Sequence, residues 1–94
     1  MLIKGMTLQE MANYLVSLSM DQMEKLVGNS KAFQTTIDEL DNLSSEDSIY
    51  MAMVFSATIC KSANDTMLRE LAFQDMSEGE HCVVLAEMRK RNLI

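Results

Sequence analysis

The 94-residue sequence predicts an all-α fold, on three observations. It has no proline and only three glycines, so little along it interrupts a helix. Its apolar residues recur at three- and four-residue spacing, and no segment shows the alternation of a half-buried strand. Three hydroxyl residues are followed three positions later by Glu or Gln: Thr7 by Glu10, Ser19 by Gln22 and Ser77 by Glu80. That spacing marks a capping box, in which the two side chains satisfy amide protons left open at a helix start.

The elements follow from those starts. Residues 1–6 carry no periodic pattern and are read as a loose N-terminal segment. A first helix, about Leu8–Leu18, places Leu8, Met11, Leu15 and Leu18 on one stripe. Met6 and Met11 stand where a hydrophobic staple would close around its cap. A second helix, about Met20–Val27, shows Met20, Met23 and Val27 on one side, with Gly28 placed to end it. A third is expected from about Ser30 to Leu43, with Phe33, Ile37 and Leu40 inward. Ser44 and Ser45 open a fourth helix that runs to about Ser62. Asn64 and Asp65 either cap a fifth, to about Met76, or kink a continuous one. A sixth covers about Glu78–Arg91, where Arg89, Lys90 and Arg91 complement the negative end of the helix dipole. The expected architecture is one domain, a compact bundle of five or six short helices around a central apolar helix at about residues 46–62.

Composition narrows the function. A hydrophobic content of 48% supports a real core and argues against disorder. The net charge of −6 argues against nucleic-acid binding as a first reading, because phosphate contacts need bases. No base lies between Lys31 and Lys61, a stretch that contains Asp38, Glu39, Asp41, Glu46 and Asp47. These five acids are a candidate acidic patch, with a solvated corner as the plainer explanation. The longest charge-free run, Ser48–Cys60, is too short for a bilayer, which takes about 20 apolar residues. Cys60 and Cys82 sit in apolar stretches and, with no signal peptide in sight, suggest reduced thiols in a cytoplasmic protein.

Catalytic and metal-binding patterns are missing from the sequence. His81 is the one histidine, and its neighbour Cys82 would point roughly 100° away on a helix, so the two cannot chelate one ion. No glycine-rich loop is present, and the serines are accounted for as caps. The sequence therefore predicts a protein that is not an enzyme and carries no cofactor or metal. A helix-turn-helix DNA-binding regulator is the alternative, with residues 7–27 or 68–92 as the two-helix unit. The first would bring Asp21 and Glu24 to a phosphate-lined groove, and the second holds its bases at the wrong end of the reading helix.

The fourth helix carries the main functional expectation. At 100° per residue, Ile49, Ala52, Met53, Ser56 and Cys60 form one stripe, and Met51, Val54, Phe55 and Thr58 lie opposite. Neither side is charged. Either the other helices wrap this one as a central post, or Met51, Val54, Phe55 and Thr58 line a contact with another protein or a second copy of the chain. The second alternative fits the ten methionines, whose flexible thioethers suit a surface that moulds to a partner. The expected function is a protein-binding regulator, inhibitor or adaptor, acting as a homodimer.

Overall fold

Four capped helix starts and one long apolar helix set the frame of the structure, a computed structural model that describes residues 2–29 and 45–94. Two short strands, β1 (Leu2–Ile3) and β2 (Met6–Thr7), precede five helices: α1 (Leu8–Ser17), α2 (Met20–Asn29), α3 (Ser45–Ser62), α4 (Asp65–Leu71) and α5 (Glu78–Lys90). Helices take 74% of the described residues, and the fold is a small all-α bundle. The helix expected from about Ser30 to Leu43 lies outside the described residues.

The caps form as the spacing requires. Thr7 and Glu10 close a full capping box on α1, which holds the Glu10 carboxyl below its ordinary pKa. Ser19 and Gln22 exchange the same pair of bonds, at 2.8 and 3.1 Å, at the start of α2. At α5 the exchange differs: Ser77 Oγ accepts from Glu80 N at 3.5 Å and donates to Glu80 Oε1 at 2.7 Å. Asn64 caps α4 by accepting from Met67 N at 2.9 Å. Residues 45–71 are therefore two helices rather than one kinked helix, and α4 stops at Leu71, short of Met76. Gly28 does not end α2, which continues through Asn29.

Leu2–Thr7 form a hairpin where a loose segment is expected. β1 and β2 pair antiparallel, Leu2 with Thr7 and Ile3 with Met6, around the two-residue turn Lys4–Gly5. Both turn residues have positive φ, 53° and 82°, the geometry that matches the twist of a tight hairpin. The hairpin is fastened to the start of α3. Lys4 N donates to Glu46 Oε1 at 2.9 Å, and Lys4 Nζ donates to Asp47 Oδ1 at 3.0 Å and stands over the Tyr50 ring. Ile3 is fully buried in the core. Replacing Ile3 by Ala should cost about 2–5 kcal/mol in urea unfolding, the range for a buried aliphatic truncated to Ala. A change below about 0.5 kcal/mol, the size of a typical surface substitution, would mean that the hairpin contributes nothing to the core.

The core gathers Met11, Leu15, Met23, Met53, Val54, Leu68 and Val83, among others. α5 packs extensively on both α1 and α3 and also meets α4, so it shares the centre with α3. Gly79 permits the close approach of α5 to α3: a Cβ there would come within 3.0 Å of Met53 Cγ.

Candidate functional site

The orientation of α3 decides which side chains a partner could meet. Its buried residues are Tyr50, Met53, Val54, Ala57 and Cys60, a stripe rotated from the one that the sequence suggested. Val54 is fully buried, so it belongs to the core and not to an outer contact. Met51 and Thr58 are half-buried, and Thr58 Oγ1 donates to Val54 O one turn back at 3.0 Å. Phe55 retains 52% of its surface and Ile59 57%, one turn apart on the outward side. Ile59 was not among the expected residues, although its i, i+4 spacing from Phe55 places both on one face.

Two hollows flank this face. On the α2 side, Met20, Met23, Glu24, Val27, Gly28 and Thr58 line one of about 300 Å³. On the other side, Ile59 lines one of about 210 Å³ with Leu71, Met76, Val84 and their neighbours. Phe73, 92% exposed, lies in the α4–α5 connection between Leu71 and Met76.

The expected acidic patch divides. Asp38, Glu39 and Asp41 lie outside the described residues. Glu46 and Asp47 hold Lys4, and the Asp47 contact raises the Lys4 pKa. These two acids therefore anchor the hairpin.

The basic residues near the C-terminus do more than complement their own helix. Lys90 Nζ donates to Val16 O at 2.8 Å, and Lys61 Nζ donates to the same oxygen at 3.0 Å. Arg91 spreads its guanidinium over Cys60 O and Ala63 O, both at 2.8 Å, and over Glu87 Oε2 at 3.3 Å and Asp65 Oδ1 at 3.2 Å. Carbonyls at helix ends lack partners within the helix, and these cations supply them to α1 and α3. Arg89 remains exposed. α5 buries Gly79, Val83, Val84, Ala86, Glu87 and Met88, and a six-residue connection separates it from α4. A reading helix needs an open face and a turn of three or four residues, so the 68–92 unit does not have helix-turn-helix geometry.

The thiols and the histidine stand apart from any ligand cluster. Among the described residues, no three His, Cys, Asp or Glu side chains come together as a metal site would require. His81 Nε2 lies 3.3 Å from Ala72 O. Burial pushes the Cys60 thiol up to about 11, with the Glu87 carboxylate adding to the shift and Arg91 and Lys61 opposing it. A pKa raised by folding gives stability that is complete below the unfolded value near 9 and is lost as pH rises through 11. At 1.36 kcal/mol per unit, Cys60 should account for about 2–3 kcal/mol of that loss. Lys4 and Tyr50, also raised, act in the same direction, and Lys61, which burial lowers, acts against it. The Cys60 share is therefore read as the difference between the wild type and Cys60→Ala in urea unfolding at pH 8 and pH 11. Equal losses in both proteins would show that the thiol ionises freely in the folded state.

No helix among the described residues is long and apolar enough to cross a membrane. Compared with protein-family models, with curated proteins and with solved structures, the chain matches none.

Proposed function

We propose that this protein is a non-catalytic binding protein, a small regulator or adaptor, which works through the outer face of α3 and uses that face first to pair with a second copy of itself. The observation that carries the reading is the exposed pair Phe55 and Ile59 on a helix with no charge from Ser48 to Cys60. A large apolar patch on a small domain marks an interaction surface more often than a scatter of single apolar residues does.

The second copy is favoured by the layout of the face. A two-fold contact uses one patch on both subunits, so the patch must complement itself. Here a projecting pair lies beside a hollow lined by Met20, Met23 and Val27. The Phe55–Ile59 ridge of each copy can enter the hollow of the other, and the methionines there can repack around it.

A photo-crosslinker introduced in place of Ile59 tests this contact. Crosslinked dimers should form, with the attachment mapped by mass spectrometry to the Met20–Val27 segment of the other copy. Products that stay within one chain would remove the second copy as the occupant of this face.

A further inference from the structure

A separate hollow of about 360 Å³ opens where α1, α3 and α5 end together, lined by Leu18, Ser19, Met20, Lys61, Glu87, Lys90 and Arg91. Its charge is opposite to that of the chain. Three cations and one carboxylate line it, in a molecule of net charge −6. Arg91 pairs with Glu87 and, beyond the lining, with Asp65, whereas among the described residues neither lysine forms an ion pair. The two lysines are held together, because both reach the same oxygen of Val16, which keeps their nitrogens within about 6 Å of each other. Each ammonium has three donors and spends one on Val16. Glu87 hydrogen-bonds to neither lysine. One of its oxygens is bound to Arg91, and the other is buried without a hydrogen-bond partner. Burial lowers the Lys61 pKa, and the neighbouring Lys90 charge lowers it further.

We propose that this hollow is a binding site for a phosphate monoester, with the phosphate bridging Lys61 and Lys90 and the ester's apolar part lying on Leu18 and Met20. A phosphate monoester carries nearly two negative charges at neutral pH, which matches the two lysines, whereas a carboxylate carries only one. Arg91 is largely committed to the helix-end carbonyls and acts here through its charge. The site does not depend on the α3 face and stands or falls separately from it.

The test is a titration of the isotopically labelled full chain by NMR, with hexyl phosphate at constant ionic strength. Saturable shifts at Leu18, Met20, Lys61 and Lys90 are expected. Inorganic phosphate and hexanoate should each bind at least fivefold more weakly, since one lacks the apolar part and the other half of the charge. Lys61→Gln and Lys90→Gln should each weaken hexyl phosphate at least fivefold, and Lys25→Gln on the exposed side of α2 should not. A phosphoserine peptide tells the source of the phosphate: tighter binding than hexyl phosphate assigns the site to a phosphorylated protein, and weaker binding assigns it to a free ester. Should a glutamine variant unfold, the wild type still decides, because bound phosphate must raise the Lys61 titration midpoint. Shifts that do not saturate, a midpoint that does not move, or equal binding of hexyl phosphate and hexanoate would overturn the proposal.

Discussion

Arg91→Ala should remove about 3 kcal/mol of stability, a large share of the 5–15 kcal/mol that holds a domain of this kind. The guanidinium is the joint between three helices. It donates to the carbonyls of Cys60 and Ala63 at the end of α3, and it pairs with Glu87 on α5. Glu87 is only 2% exposed, and one of its oxygens already lacks a hydrogen-bond partner. Without Arg91 the carboxylate would lose its hydrogen-bonded ion partner, Ala63 O would lose the guanidinium donor, and Cys60 O would keep only Ala63 N at 3.3 Å. The Arg91 side chain is partly exposed, which screens the pair and places the expectation at the low end of the range for a broken buried ion pair. The exposed contact to Asp65 adds little. Arg91→Lys should recover only part of the loss, because a point charge cannot span the carbonyls and the carboxylate together. Replacing both partners, as Arg91→Leu with Glu87→Met, should be milder than Arg91→Ala, since no charge is then stranded. Urea unfolding of the four proteins gives the answer. A loss under about 0.5 kcal/mol for Arg91→Ala, no more than an ordinary surface change, would mean that the joint is ornamental.

The second large effect separates the two sides of α3. Val54→Lys should unfold the protein or drive it to aggregate, because it places an unpaired charge at a fully buried position, at a cost of several kcal/mol. Ile59→Glu, five residues further along the same helix, should leave circular dichroism and the thermal midpoint nearly unchanged, since more than half of Ile59 is already exposed. Its effect should fall on association: light scattering should show a monomer, against the dimer expected of the wild type. If Ile59→Glu unfolds instead, the ridge is part of the core and the outer face is not a binding surface.

The fold was legible wherever a local rule acts on side chains. Thr7, Ser19, Asn64 and Ser77 mark helix starts because the cap is a contact between residues three apart, and such spacing is visible in a sequence. The hairpin was not legible. Two-residue strands are too short to show alternation, and Lys4–Gly5 lacks the Asn-Gly pattern that announces such a turn. Its stability comes from Ile3 in the core and from Glu46 and Asp47 more than 40 residues away.

The candidate site was half legible. The charge-free run of α3 points to that helix and to Phe55, but apolar residues nearly all round it give no direction to its buried side. Of the two alternatives, only the interface one sets Val54 outward, and neither singles out Ile59. Tyr50 and Ala57 settle the orientation by facing inward. The clasp made by Lys61, Lys90 and Arg91 was hidden for another reason. Its acceptors are mostly backbone oxygens, and any residue could supply them.

Light scattering behind size-exclusion chromatography, on the wild-type chain between 5 and about 100 μM, is the most direct measurement of the central claim, over concentrations where a dimer of moderate affinity forms. The outer face of α3 should bring two copies together, so the apparent mass should rise toward 21.2 kDa, twice the 10.6 kDa of the chain, and Ile59→Glu should hold it at 10.6 kDa. A wild-type protein that stays at 10.6 kDa across the whole range would contradict self-association through this face.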